Sequence, residues 1–528
     1  MAHKELRTML QGAMVMTVAS FIAKLLSAVY RVPFQNLVGD EGFYVYQQVY
    51  PIYGIAMTLA LSGLPQFISK VVAEQKEASD KKLVLQRLFP FVSTVSVLSF
   101  AFFFLGSDWL AGLMGDPGLS SLIQVVSVTF LLVPFLSFYR GNFQGHLLMT
   151  PSAVSQVLEQ LIRVSVILVA ASLYKKLQWD AYQTGTMAMG GAILGGSAAV
   201  FILWYYDRRI QPGSSNYFIQ WRIDAEGRSL FQRLFIEGGL VSLYSAFLII
   251  FQLVDSFFVK NALVISGLTD SAAKIEKGIY DRGQPLVQLG LVVALALTST
   301  FLPALTKYVV GQKDRQFMEA AKMFLRLTTT VASAASVGLL MLLPYINSAL
   351  FKDYQGNGVL GIYVLGIAFM AVIQAYQSIL QSRNTFKGAF LAAAAGLSIK
   401  LLLTTWLTQS VGTVGASLST VLGLLATLGC LMKMADRDLN RFWLERNFLK
   451  KLLTSLGIMV IVLLIYQGLL GLFFGVATHR GQALFYALGG VGIGIAVFLL
   501  AIIQLRVFTI REWLMVPFGK KVLRLKKR

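Results

Sequence analysis

The sequence holds one cysteine, Cys430, and three histidines, His3, His146 and His479, in 528 residues. A lone cysteine excludes a disulfide framework and a cysteine-based metal site, and three scattered histidines leave no cluster for a metallohydrolase. Charge is scarce as well. Asp, Glu, Lys and Arg make up 13% of the chain, about half the ~25% of soluble domains. That excludes both an ordinary soluble enzyme and a disordered chain. No stretch between apolar runs exceeds about 30 residues, so a soluble catalytic domain has no room. The expectation is therefore a protein that is not an enzyme and that carries no cofactor and no metal.

Apolar and aromatic residues are what the chain has, at 56% and a mean hydropathy of +0.67. At about 20 residues per crossing, such a composition fills about fourteen membrane spans. Runs long enough to cross fall at about 9–34, 43–66, 88–111, 119–140, 151–174, 184–206, 236–260, 285–309, 323–348, 357–383, 387–408, 411–434, 448–473 and 481–505. The fold class expected is thus all-α and integral to the membrane, with about 14 transmembrane helices. The first run follows Lys4 and Arg7 without a small-residue cleavage site, and it reads as a retained span.

The net charge of +21 is a feature of many nucleic-acid binders, but its placement argues otherwise. With the N-terminus in the cytoplasm, 34 of the 46 Lys and Arg fall on cytoplasmic segments. That asymmetry sets both termini inside. The basic tail, Lys520-Lys521-Val522-Leu523-Arg524-Leu525-Lys526-Lys527-Arg528, reads as an orientation signal attracted to anionic lipid headgroups. Membrane lipids are the expected partners, with no nucleic acid, and the oligomeric state is left open.

A weak repeat recurs at an offset near 237 residues. Ala60-Leu61-Ser62-Gly63-Leu64-Pro65 resembles the stretch from Ala296 to Pro303, Tyr139-Arg140-Gly141 aligns with Tyr376-Gln377-Ser378, and Arg163 falls on Lys400. The offset spans an even number of crossings, so the halves share one orientation, an architecture of transporters. The expected organisation is an N-lobe at 1–210 (spans 1–6), a cytoplasmic linker at 211–235 and a C-lobe at 236–435 (spans 7–12). Spans 13–14 and the basic tail occupy 436–528.

Seven ionisable residues lie inside spans: Lys24, Arg31, Glu159, Arg163, Glu237, Asp255 and Lys400. Each costs about 2.5–3.5 kcal/mol at the bilayer centre, so facing lipid they would sum to roughly 20 kcal/mol. They must be paired, snorkelling, or lining a wet cavity. Ser20, Lys24, Ser27 and Arg31 share one face of span 1. In span 5, Glu159 and Arg163 form an i, i+4 pair that is either structural or functional. Arg163 and Lys400 sit at matched depth and point to one central basic site. Asp255 and Glu159 are candidate counter-ions or coupling groups, and Glu237 is interfacial. Span 10 carries Gln374, Gln377, Gln381 and Asn384 on one face, and spans 2 and 8 add Gln47, Gln48, Tyr50, Tyr53, Gln284 and Gln288. Four cations among uncharged polar groups suit an anionic, hydroxyl-rich ligand. The substrate-binding candidates are Lys24, Arg31, Arg163 and Lys400, with Ser20, Ser27, Gln374, Gln377 and Gln381 as polar cavity groups.

Arg140-Gly141-Asn142-Phe143-Gln144-Gly145 and Pro151-Ser152-Ala153-Val154-Ser155-Gln156-Val157-Leu158-Glu159-Gln160-Leu161-Ile162-Arg163-Val164 together resemble a known signature of spans 4 and 5. It marks the polysaccharide-exporter and stage V sporulation protein B branch of the multidrug/oligosaccharidyl-lipid/polysaccharide (MOP) flippase superfamily, related to MurJ-type lipid II flippases. Val38-Gly39-Asp40-Glu41-Gly42, Gly63-Leu64-Pro65 and Ile279-Tyr280-Asp281-Arg282-Gly283-Gln284-Pro285 fit it too. The resemblance implies flipping of an undecaprenyl-diphosphate-linked sugar or peptidoglycan precursor across a bacterial plasma membrane by alternating access. It implies a cationic central cavity for the diphosphate and leaves any coupling ion, H⁺ or Na⁺, open. The superfamily's lipid II flippases place cations in span 1. Lys24 is the closest match, and Arg31 lies about one position from the second.

The alternative within the same fold is a cation-coupled multidrug antiporter, which needs acidic residues in its lobes. Here the span interiors are richer in bases, and span 1 has no acid beyond Glu5 at its entrance. A membrane polymerase or acyltransferase would need a large outer loop or a histidine cluster, and the chain has neither.

Overall fold

In a computed structural model, residues 2–210, 224–383, 385–509 and 512–513 are described, and no strand occurs among them. Asn384 of the span 10 stripe, Arg222 of the linker and the basic tail from Lys520 to Arg528 lie outside the described residues. The helices are α1 (Ala2–Val29), α2 (Arg31–Thr58), α3 (Leu64–Glu74), α4 (Ala78–Leu105), α5 (Ser107–Leu113), α6 (Ser120–Ser127), α7 (Thr129–Gly145), α8 (Met149–Lys176), α9 (Ala181–Ile210) and α10 (Ala225–Arg233). They continue as α11 (Gly239–Ile265), α12 (Asp270–Asp281), α13 (Gly283–Val310), α14 (Asp314–Phe351), α15 (Asn357–Ser382), α16 (Phe386–Val411), α17 (Thr413–Met434), α18 (Arg437–Asn440), α19 (Phe448–Phe474) and α20 (Arg480–Gln504).

Thirteen helical runs are long and apolar enough to cross a membrane, and the first, Met14–Glu74, has 61 residues. At 1.5 Å per residue that run is about 90 Å long, some three times a bilayer's hydrocarbon core of ~30 Å. It therefore holds two crossings, and the chain has the fourteen spans expected. The break between them lies at Gly39, whose φ of 75° is left-handed and suits glycine.

Two compact units divide the chain: Met1–Pro285 with Lys400–Ala416, and Leu286–Ile399 with Ser417–Arg528. In the first unit the core forms around α2, whose Phe43, Tyr44, Val45 and Tyr46 are at most 1% exposed. Leu122 and Ile123 of α6 and Ala188, Met189 and Ala192 of α9 pack against it. The run Gly190-Gly191-Ala192-Ile193-Leu194-Gly195-Gly196 lets α9 lie directly on α8, since small residues allow helix backbones to approach in membranes. A Cβ at Gly195 would stand 2.6 Å from the Glu159 carbonyl oxygen. That contact fixes the part of α8 that carries Glu159 and Arg163.

Two π-helical turns interrupt the first unit's helices, at Leu59–Gly63 after α2 and at Leu234–Gly238 before α11. Such turns release a carbonyl from the helical ladder and mark functional or strained positions.

In the second unit, α14 runs 38 residues beside α15, where Ser336 Oγ donates to the Val364 carbonyl at 2.9 Å. Gln467 of α19 donates to the Met341 carbonyl at 2.5 Å, and Tyr466 to that of Tyr486 at 3.0 Å. The segment after α20 is tied to α14 by Arg326, whose Nη2 lies 2.5 Å from Glu512 and whose Nη1 lies 2.9 Å from Glu445.

Candidate functional site

The first turn of α2 begins at Arg31, one residue after the Tyr30 turn that ends α1. Its guanidinium is fully buried, and Nε, Nη1 and Nη2 all lack a hydrogen-bond partner among the described residues. Snorkelling is thereby excluded for Arg31. Its neighbours are aromatic faces: the guanidinium carbon lies 4.3 Å from the Tyr50 ring centroid and 5.9 Å from that of Tyr30. Arg163 of α8 approaches the same Tyr30 ring at 5.1 Å and the Tyr53 ring at 4.8 Å. Tyr30 and Tyr46 are joined through their hydroxyls at 2.9 Å.

Arg163 is 1% exposed. Its Nη2 donates to Gln160 Oε1 at 2.7 Å and to Ser27 Oγ at 3.3 Å, while Nη1 has no partner. Among the described residues, neither arginine has a carboxylate within ion-pair distance. Two buried guanidinium groups thus share one tyrosine cluster with no counter-charge. Cation–π contacts supply about 0.5–2 kcal/mol each, less than the several kcal/mol that burying an ion costs.

Arg163 does not pair with Glu159, as the i, i+4 spacing suggested. Glu159 Oε2 instead accepts from Arg140 Nη2 at 2.7 Å, with both side chains buried. Arg140 Nε also donates to Ser155 Oγ at 3.0 Å, and Nη1 donates to the Ala60 carbonyl at 3.2 Å. Ala60 belongs to the π-helical turn Leu59–Gly63, so Arg140 takes up a carbonyl that this turn releases. That local demand draws Glu159 toward α7 and leaves Arg163 without an acid. Arg140, the last residue of the apolar run at 119–140, is therefore an interior residue.

Lys400 is paired as well. Its Nζ lies 2.6 Å from Asp255 Oδ1, both groups being at most 1% exposed, and Tyr280 Oη donates to Asp255 Oδ2 at 2.8 Å. Around them, Lys277 contacts both oxygens of Asp281 at 2.6 and 2.7 Å, and Gln284 donates to Asp281 at 3.0 Å. Gln47 then donates to Gln284 Oε1 at 2.8 Å, and Gln48 to the Ser256 carbonyl at 2.6 Å. Arg282 meets Asp40 through Nε at 3.0 Å and Nη2 at 2.7 Å. Arg163 and Lys400, matched in depth along the sequence, differ in their partners: Lys400 carries its own counter-ion, Asp255, and Arg163 has no carboxylate among the described residues.

Among the other sequence candidates, Ser20 Oγ donates to Gln156 Oε1 at 3.1 Å. Lys24 is exposed on α1 and makes no hydrogen bond or ion pair among the described residues. Glu237 pairs with Lys70 at 2.8 Å and Arg233 at 3.0 Å. Gln374, Gln377 and Gln381 lie on α15 in the second unit, where Gln374 Oε1 and Gln377 Nε2 are buried without partners.

Of the tyrosine cluster, the sequence nominates Tyr50 and Tyr53 as polar groups of span 2 but not Tyr30 and Tyr46, which join it in the structure. The cluster's signal is visible in hindsight as Tyr46, Tyr50 and Tyr53, spaced i, i+4, i+7 on one face of α2.

Residues 9–309 match a family described as polysaccharide biosynthesis protein. An uncharacterized membrane protein of Bacillus subtilis, YabM, is 36% identical over 98% of this chain and 96% of its own length. The lipid II flippase MurJ of the same organism is 26% identical, covering 93% of this chain and 94% of its own. A solved structure of lipid II flippase MurJ in an inward closed conformation superposes with a TM-score of 0.66 at 14% identity, covering 93% of this chain and 99% of that one.

Proposed function

The chain belongs to the polysaccharide biosynthesis protein family of the MOP superfamily, and from that premise we propose that it flips a lipid-linked, diphosphate-bearing sugar across the plasma membrane. The substrate class is an undecaprenyl-diphosphate sugar or a lipid II-like peptidoglycan precursor, moved by alternating access. One observation carries this reading. Arg31 and Arg163 present four buried guanidinium nitrogens that have neither a hydrogen-bond partner nor a carboxylate.

A diphosphate supplies what those groups lack: charge of opposite sign and several acceptor oxygens that the planar guanidinium fork can engage in pairs. Charge-assisted bonds in such a dry setting are stronger than in water. Lys24, exposed on α1 ahead of the buried pair, offers the diphosphate a first contact. Asp255 neutralises Lys400, which leaves most of the substrate's charge to the two arginines.

The bias of basic residues supports cytoplasmic termini. The sequence repeat at an offset near 237 residues supports two parallel-repeat lobes. A multidrug antiporter reading calls for free acids in the span interiors, and both acids that the sequence nominated deep in the spans are held by a base, Glu159 by Arg140 and Asp255 by Lys400.

The test is reconstitution in liposomes with a fluorescent undecaprenyl-diphosphate sugar and, separately, a cationic dye. Wild-type protein is expected to flip the sugar lipid and not the dye. Arg31→Gln and Arg163→Gln are expected to lower the rate at least about tenfold, as removing a charged hydrogen-bond donor does. Preferential transport of the dye, or wild-type rates in both variants, would overturn the proposal.

A further inference from the structure

The substrate proposed above has a long hydrocarbon tail, and a second feature of the first unit bears on where that tail lies. A cavity of about 350 Å³ opens among α2, α4, α7, α10 and α11, with the two π-helical turns in its wall. Its lining includes Ile55, Val95, Val133, Phe235 and Ala246. The volume lies at the lower end of ligand pockets, ~300–1,000 Å³.

Three of the four hydroxyls in its lining are already spent. Thr58 donates to the Gly54 carbonyl at 2.8 Å, Ser99 to that of Val95 at 2.8 Å, and Ser242 to that of Gly238 at 2.7 Å. The wall therefore offers almost nothing to a polar ligand, and water needs two to four polar partners to stay in such a space. The helices that form it are those long and apolar enough to cross the membrane. Val95 and Phe235 at its rim are 50% and 76% exposed, so a chain can enter from the side.

Continuity with the arginine site selects the occupant. Thr58 lies five residues after Tyr53 on α2, about 7.5 Å along the helix, and the Tyr53 ring faces Arg163. Val133 lines both this groove and a small cavity bounded by Tyr53 and Glu159. An amphiphile whose anionic head meets Arg163 thus has an apolar channel one to two helical turns away.

We propose that the groove bounded by Ile55, Val95, Val133 and Phe235 seats the isoprene units nearest the head of the lipid-linked substrate whose diphosphate Arg31 and Arg163 hold. The inference rests on the function proposed above. It makes tail recognition a property of the first unit, coupled through α2 to head recognition.

Site-directed crosslinking tests it. In a Cys430→Ser background, Val95→Cys and Phe235→Cys are labelled with a benzophenone in phosphatidylglycerol vesicles containing undecaprenyl-diphosphate sugar, irradiated and read by mass spectrometry. Leu98→Cys, on the same helix, exposed and outside the groove, is the control. Polyprenyl adducts at 95 and 235 are expected to exceed those at 98 by on the order of tenfold relative to phospholipid adducts. Phospholipid adducts in bulk proportion at all three positions, or no adduct at 95 and 235, would overturn the inference. Binding of a short-chain isoprenyl diphosphate to unlabelled protein is measured in parallel. If the diphosphate binds but the groove labels like bulk, the tail inference alone fails. If the diphosphate does not bind, the function proposed above fails.

Discussion

Buried charge in this protein separates into groups that have an opposite charge and groups that do not, and the difference decides what each residue does. Arg140 has Glu159, Ser155 and the Ala60 carbonyl around it, so each of its three nitrogens has a partner and its charge is balanced by Glu159. Its role is to hold the π-helical turn and the α7–α8 pair together. Arg140→Ala is expected to leave Glu159 as an unpaired buried charge, at a cost of about 3–5 kcal/mol. The readout is a large fall in the apparent melting temperature in detergent, with Arg140→Met/Glu159→Gln recovering much of it. A melting temperature unchanged in Arg140→Ala would show that the pair contributes nothing to stability. Arg31 is the opposite case, with no hydrogen-bond partner at any guanidinium nitrogen among the described residues.

At the scale of elements, the position of that arginine pair depends on how closely α8 and α9 approach. Gly195 is the contact that sets it, because a Cβ there would lie 2.6 Å from the Glu159 carbonyl oxygen. Gly190, on the same helix, has no atom within 4 Å of the Cβ it would gain. Gly195→Ala is therefore expected to push α8 outward and misplace Arg163, lowering flipping about 10–100-fold, the range that ~1 Å displacements produce. Gly190→Ala should stay within about twofold and gain a little helix stability. Equal behaviour of the two variants in the flipping assay would refute the packing argument. The spans themselves were legible in the sequence, since hydropathy alone marked fourteen. The partner of Glu159 was not. Arg163 at i+4 and Arg140 one helix earlier were both open, and the choice turns on a π-helical turn some eighty residues upstream that hydropathy does not report.

For the whole molecule, the same distinction explains which parts of the site could be read in advance. Charges inside apolar runs nominated Arg31, Arg163, Lys400 and Asp255, because an intramembrane charge is costly wherever it points. Pairing could not be read that way. The Lys400–Asp255 contact joins residues 145 apart, and residues 400–416 belong with the first unit although the intervening stretch, 286–399, belongs to the second. Matched depth along the membrane normal, which the repeat suggests, carries no information about neighbours within its plane. Lys260, Lys277 and Arg282 lie at the end of an apolar run or between two of them, yet each is at most 3% exposed. The consequence can be measured. Lys400→Met alone should leave Asp255 charged, buried and held only by Tyr280, with a loss of about 3–5 kcal/mol. Lys400→Met/Asp255→Asn removes both charges at once, and it should restore most of the apparent melting temperature. Because the acid-free charge sits on Arg31 and Arg163, this double variant is expected to bind an isoprenyl diphosphate within about threefold of wild type, under ~1 kcal/mol. A folded double variant that no longer binds would place Lys400 in the diphosphate site beside the arginines and make its ion pair with Asp255 one that the substrate must break.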